Sequence, residues 1–167
     1  DEVWQAFAAA ANDPSSSLTR SQAISNVEDF LSEAGRINSQ INQLTHTVDA
    51  QVSAGVSRAN ELLVGINNLN VDITRAKLIG TDASGSENMQ SQLLDELSTI
   101  MNVRVAERSG GGVTVRSTEG MMLAGDGAAT LTYSRTDTTR GYILASPAGG
   151  GLPQGIEVTG GEIRGLL

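Results

Sequence analysis

The chain has 167 residues, of which 39% are hydrophobic and only 3% aromatic, and it carries a net charge of −8. Binding to nucleic acid or to anionic lipid needs a clustered basic face, and this sequence has one lysine and ten scattered arginines. No apolar run approaches the roughly 18 residues needed to cross a bilayer, and the absence of cysteine excludes disulfides and thiolate zinc sites.

The first predicted element is a short helix over residues 1–11. It ends at Asn12-Asp13-Pro14, because a proline disfavours the helical conformation in the residue before it. The chain begins at Asp1 with neither an initiator methionine nor a signal-like apolar segment. We therefore expect a fragment of a longer protein.

A much longer helix is predicted over about residues 16–79, a stretch with no proline and only three glycines. At 1.5 Å per residue it would span roughly 90 Å, whereas helices of globular domains usually have about 8–20 residues. Its N-terminal cap is either Asp13, ahead of Pro14, or Thr19, which forms a candidate capping box with Gln22.

Apolar residues recur along this helix at steps of three and four, as in a coiled coil. The resulting seam consists of Val27, Leu31, Ala34, Ile37, Ile41, Leu44, Val48, Val52, Gly55, Ala59, Leu62, Ile66, Leu69, Ile73 and Ala76. A second stripe in the C-terminal half consists of Val56, Leu63, Val64, Val71 and Leu78. Two apolar faces predict that this half is covered on two sides. One neighbour could be the next helix, and the other is expected outside the fragment or on another subunit. We therefore assign the second stripe to packing in a helix bundle or between subunits.

The next predicted helix covers about residues 86–101, with Ser84 and Glu87 as a second candidate capping box. It should fold back antiparallel onto the end of the long helix. These three helices make up a predicted helical rod domain over residues 1–102.

After residue 102 the apolar period changes from 3.6 to 2, and sixteen of the nineteen glycines lie from Gly80 onward. Two segments flanking Ser109–Gly112, 103–105 and 113–115, predict a hairpin. Further strands are expected near residues 120–123, 129–135, 141–145 and 156–158, separated by turns at 125–127 and 137–139 and by a loop at 147–155. The predicted fold class is thus α+β, with a small glycine-rich antiparallel β subdomain over 103–158 and a truncated return element over 159–167.

No arrangement of residues in the sequence indicates catalysis. His46 is the only histidine, and its position on the helix places it away from the seam. Gly125-Asp126-Gly127 lacks the alternating oxygen ligands of a calcium loop, and Ser109–Gly112 lacks the context of a phosphate-binding loop. We therefore expect no catalytic, cofactor-binding or metal-binding residues and no small-molecule substrate.

Several motifs, in their order and spacing, resemble one protein family, the hook-associated protein 1 (hook–filament junction) family of bacterial flagella. They are Trp4-x-x-Phe7-Ala8, Asn12-Asp13-Pro14 with Arg20, the segments 37–44 and 64–70, Leu93-Leu94-Asp95-Glu96-Leu97-Ser98 with 103–105, and the tail 160–167. One departure concerns the segment before Leu93. The family usually carries Asp-Gln-Arg-Asp there, and this chain has Asn88-Met89-Gln90-Ser91.

The resemblance implies a non-enzymatic protein that is exported through the flagellar secretion apparatus. It also implies an extracellular position where the hook meets the filament. Expected partners are the hook protein and the second junction protein, with self-association through terminal helices outside this chain and an export chaperone on the missing C-terminus.

An alternative function is a helical sensor or signalling module of the chemoreceptor type, since such bundles share long Ala/Ser/Gln/Asn-rich heptads. About sixty residues of glycine-rich β structure after a helical hairpin do not fit such a module, which consists of helices. A third class, a secreted enzyme or adhesin that uses the β part, lacks a catalytic constellation.

Overall fold

The computed structural model describes residues 2–135 and 141–167 and has the predicted α+β fold. Its helices are α1 (Glu2–Asn12), α2 (Ser17–Ile79), α3 (Ser84–Ile100) and α4 (Glu162–Leu166). Its strands are β1 (Arg104–Glu107), β2 (Val113–Arg116), β3 (Met122–Ala124), β4 (Thr130–Arg135), β5 (Gly141–Ser146) and β6 (Gln154–Ile156). The first three helices begin and end within about two residues of the predicted bounds, a normal scatter for helix ends.

The caps of the two longer helices differ from those predicted. Ser16 caps α2: its hydroxyl accepts the Thr19 N–H at 3.4 Å, so Thr19 is capped and does not itself provide the cap. Before α3, the Asp82 carboxylate accepts the Ser84 N–H at 3.0 Å and the Ser84 hydroxyl, so the predicted Ser84–Glu87 capping box is wrong. The hydrogen bonds from Ser84 hold the pKa of Asp82 below its usual value.

The strands form two antiparallel sheets of three strands each, β1-β2-β3 and β4-β5-β6. The predicted hairpin is confirmed, with Arg104 opposite Arg116 and Glu107 opposite Val113. Its turn is closed by the Gly111 N–H, which donates to the Arg108 carbonyl at 3.0 Å. The predicted turn at residues 137–139 lies outside the described residues.

The chain separates into two compact units, Asp1–Thr47 and Val48–Leu167. In the first unit, α1 and the start of α2 enclose the small side chains of Ala6 and Ala23, and the Asn26 amide donates to the Glu2 carbonyl at 3.3 Å. Among the described residues no helix is long and apolar enough to span a membrane.

The second unit holds the main hydrophobic core. Residues of α2, α3, both sheets and α4 all contribute to it, including Leu62, Leu97, Leu123, Ile143 and Ile163. The predicted change of secondary structure at residues 102–103 therefore falls inside this unit. The tail predicted as a return element forms the short helix α4, and its Ile163 is buried in this same core.

Candidate interaction surface

In the second unit, α3 packs against one side of α2. The Arg58 guanidinium donates two hydrogen bonds to the Glu96 carboxylate, at 2.6 and 2.9 Å. Gly65 allows close approach, since a Cβ added there would lie 2.9 Å from the Leu93 side chain. This contact confirms the predicted antiparallel neighbour of the long helix.

The Arg58–Glu96 pair predicts a dependence of stability on pH. The hydrogen bond from Arg58 lowers the pKa of Glu96 from about 4.5. A depressed folded-state pKa gives stability that is present above the unfolded value and is lost as the pH falls through the folded one. We expect wild type to lose stability below pH 4.5 more steeply than Glu96→Gln. Urea unfolding from pH 7 to pH 3 measures this, and identical slopes for the two proteins would contradict it.

The five residues of the predicted second stripe do not share one environment. Val56 and Leu63 are buried, whereas Val64 and Val71 are each 50% exposed and Leu78 is 81% exposed. The sequence placed the second neighbour of α2 outside the fragment or on another subunit. For Val56 and Leu63 that expectation is corrected, because they belong to the core that α2 shares with the chain's own β strands.

Val64, Val71 and Leu78 remain as an exposed apolar stripe, in which successive members are seven positions apart. A spacing of seven returns to the same helix face. Val71 and Leu78 line an open groove of about 520 Å³ between α2 and the segments that follow β1 and β3. Other residues of that groove include Thr74, Arg75 and Arg108.

Two arginines and one aspartate, Asp126, are the charged residues that line this groove. Arg108 donates to the Gly125 carbonyl at 2.9 Å and to the Asp126 carboxylate at 2.5 Å, which fixes its guanidinium in place. Arg75 is more exposed and lies 3.7 Å from Asp72. An exposed pair at that distance contributes little to stability, so the Arg75 guanidinium is available to a partner.

The described part of the first unit also exposes apolar side chains. Trp4 is 80% exposed and Phe7 50%. The predicted seam is exposed there at Leu31, Ile37, Ile41 and Leu44, whereas in the second unit its members Val52, Ala59, Leu62, Ile66 and Ile73 are buried.

Sequence reasoning missed the asparagines of α2 that bind the sheets. Asn60 exchanges two hydrogen bonds with the backbone of Leu131, at 2.7 and 2.9 Å, and Asn70 does the same with Val113, at 2.7 and 2.8 Å. Asn67 accepts the Gly127 N–H at 2.9 Å. The recurrence of asparagine at positions 60, 67 and 70, along one side of a helix, was the available signal.

Gln90 lies in the segment where the chain departs from the usual family run. It is buried, and its amide donates to the Asn70 Oδ1 at 2.9 Å and to the Ile66 carbonyl at 3.4 Å. The departure thus places a neutral amide at the buried contact between α3 and α2. Because a buried amide with partners costs far less than an unpaired charge, Gln90 suits this position.

A polar cluster joins the N-terminal end of α2 in this unit to β4. Asp49 accepts the Tyr133 hydroxyl at 2.6 Å and the Arg135 Nε at 2.8 Å. Burial, and then the hydrogen bond to Asp49, raises the pKa of Tyr133 above its usual value of 10.0. The phenol therefore stays neutral and donates to the carboxylate at physiological pH.

The residues considered for chemistry belong to different units. His46 is exposed on α2 in the first unit, and Asp126 is paired with Arg108 in the second. Within residues 2–135 and 141–167, no group of three or more His, Asp or Glu side chains is placed to hold a metal ion.

Comparisons with known proteins identify one family and two similar proteins. The family model described as "Flagellar hook-associated protein FlgK helical domain" matches residues 1–167. Flagellar hook-associated protein 1 of Bacillus subtilis (strain 168) is 24% identical over 126 residues, or 72% of this chain and 24% of that protein. The flagellar hook junction protein FlgK from Burkholderia pseudomallei has the same fold. The two structures superpose with a TM-score of 0.85 at 23% sequence identity. The match covers 98% of this chain and 31% of the Burkholderia chain. The chain thus spans about a quarter to a third of these relatives.

Proposed function

Because the chain belongs to the family of the flagellar hook-associated protein FlgK helical domain, we propose that it is a structural part of the bacterial flagellum. In this role it joins the hook to the filament and carries out no catalysis. The observation that carries the proposal is the family match over residues 1–167. The names of the two relatives, a hook-associated protein and a hook junction protein, support the same position in the flagellum.

The partners follow from that position. The hook protein contacts one side of the junction and the second junction protein contacts the other. Self-association uses terminal helices outside these 167 residues, and an export chaperone binds a C-terminal segment that is also outside them. The protein leaves the cell through the flagellar secretion apparatus and works extracellularly.

Within this role, Val64, Val71 and Leu78 provide a packing surface for another helix, which belongs either to the rest of the protein or to another subunit. Their spacing of seven residues is that of a helix–helix seam, and their exposure leaves them available. Val56 and Leu63 are not part of this surface, because they are buried in the core of the second unit.

Replacing Val71 by aspartate tests the packing surface. Since Val71 is half exposed, the free energy of unfolding of the chain should change by no more than about 0.5 kcal/mol. A carboxylate buried in the contact should still reduce filament attachment about tenfold, the factor given by about 1.4 kcal/mol. Filaments per cell, counted by electron microscopy with the variant in the natural full-length protein, measure this.

The matched control is Gln92→Asp, which adds the same charge at an exposed position of α3, outside the groove that Val71 lines. Gln92→Asp should leave the filament count unchanged. Equal counts for the Val71 and Gln92 variants would refute the packing surface.

The junction role itself is tested by immunogold electron microscopy of intact flagella, with antibody raised against this chain. A single narrow band of label where hook meets filament is the expected result. Label on the cell body, or none on the flagellum of cells that express the protein, would overturn the proposal. Deleting the gene should leave hooks without filaments.

The alternative function, a helical signalling module of the chemoreceptor type, has no support from these comparisons. The family match extends through the β part of the chain as well as through the helices.

A further inference from the structure

Four polar side chains on one side of α2 form hydrogen bonds to the backbone of both sheets or of their connecting loops. They are Asn60, Asn67, Asn70 and Thr74, with steps of seven, three and four residues that keep them along one side of a helix. Thr74 adds to the asparagine contacts by donating from its hydroxyl to the Gly111 carbonyl at 3.4 Å.

The two outer asparagine contacts have the form of strand pairing. Each amide accepts the N–H and donates to the C=O of a single residue, Leu131 for Asn60 and Val113 for Asn70. Two hydrogen bonds to the backbone of one strand residue fix the direction of that strand relative to α2 as well as its distance from α2, because hydrogen bonds weaken steeply when misaligned. The helix α2 thereby provides hydrogen-bond partners for the backbone N–H and C=O of one strand residue in each sheet.

These contacts extend along the helix axis. From Asn60 to Thr74 is about 21 Å at 1.5 Å per residue. Apolar packing is non-directional and allows one surface to slide over another. A shift of α2 by one helical turn, about 5.4 Å, would break every one of these hydrogen bonds together.

We propose that Asn60, Asn67, Asn70 and Thr74 form a register lock that holds α2 at one axial position and one rotation against the two sheets. They are positioning residues: the lock keeps Val64, Val71 and Leu78 directed outward and resists shear between α2 and the sheets. Its use in passing load between hook and filament rests on the proposed function, whereas the lock itself is a property of this chain.

Single-molecule pulling on the chain tests the lock. Because the sequence has no cysteine, Gln51→Cys on α2 and Thr132→Cys on β4, both at exposed positions, give unique attachment points on either side of the contact between Asn60 and Leu131. In this background, Asn60→Ala removes both bonds to Leu131, and rupture at a fixed force should become about tenfold faster. Asn60→Asp keeps the acceptor for the Leu131 N–H and should give an intermediate rate.

The matched control is Asn102→Ala. Asn102 forms hydrogen bonds to Thr118, Thr159 and Gly160, and none of these three residues belongs to α2. Asn102→Ala should lower the temperature of the unfolding transition, as Asn60→Ala should. It should nevertheless change the rupture rate by less than about twofold, because Asn102 lies outside the sheared contact.

An unchanged rupture rate in Asn60→Ala would overturn the lock. So would rupture rates of Asn60→Ala and Asn102→Ala that both rise in proportion to the thermal stability each variant loses. If Asn60→Ala does not fold, Asn60→Asp decides on the same two criteria. These rates are measured on the isolated chain, so they are independent of where the antibody labels the flagellum.

Discussion

Asn70→Leu is expected to lower the free energy of unfolding of the second unit by about 4 kcal/mol. Asn70 is 1% exposed, and its amide satisfies the N–H and C=O of Val113 and accepts from Gln90. Leucine has a similar branched shape but is larger, and it removes all four bonds, of which the fourth is the donation from Asn70 to the Gly125 carbonyl at 3.5 Å. Each buried polar group left without a partner costs about 1–3 kcal/mol. Urea unfolding followed by circular dichroism measures the loss.

The neighbouring substitution Asn68→Leu is the control, since Asn68 is exposed on the same helix. It should change the free energy of unfolding by no more than about 0.5 kcal/mol. Amide exchange of Val113 gives a local readout, because its N–H is bonded to Asn70. A loss below about 1 kcal/mol in Asn70→Leu would show that water or rearrangement satisfies these groups.

The second large effect is expected from Gly161→Ala. Gly161 has φ 82° and ψ −179°, a conformation essentially confined to glycine. An added Cβ would lie 2.5 Å from the Ile100 carbonyl oxygen and 2.7 Å from the Met101 nitrogen. Both are backbone atoms at the end of α3, which cannot move as a flexible side chain can. The strain and the displacement of α4 together should cost about 3 kcal/mol.

Gly160→Ala is the matched control one residue away. Its added Cβ would meet Asn102 at 3.5 Å, an ordinary contact, and Gly160 has no positive φ. Its unfolding transition should lie close to that of wild type. Ile163 is buried just beyond Gly161, so its methyl resonances report whether α4 has left the core. Coincident transitions and unshifted Ile163 methyls in both variants would contradict the prediction.

The helix caps show how far local sequence patterns go. The sequence located the start of α2 and of α3 to within a few residues, because Pro14 and the loop at residues 80–83 end any helical pattern. Near each start, however, several Ser, Thr and Asp residues were possible caps, and the pattern did not choose among them. Ser16 caps α2, whereas the N-cap position of α3 is Ala83 and the Ser84 N–H is bonded by Asp82, one residue before it. The backbone before each helix directs these oxygens at free N–H groups, a geometry that spacing does not specify.

The buried asparagines show a second limit. A helix with Asn60, Asn67 and Asn70 on one side has the composition of a solvated face. Only the strands packed against α2 supply backbone N–H and C=O groups that make these amides a contact surface. The same strands decide that Val56 and Leu63 are buried while Val64, Val71 and Leu78 are exposed.

The sequence alone determined the long helix α2, the antiparallel helix α3, the hairpin of β1 and β2 and the family. All of these depend on local periodicity, turn residues or the order of motifs, which residues near one another in the chain encode. The tertiary structure alone decided which face of α2 the strands cover, which asparagines bond to them and how Gly161 meets the end of α3. Those outcomes depend on contacts between residues far apart in the chain, and a helical pattern specifies an apolar face without specifying its partner.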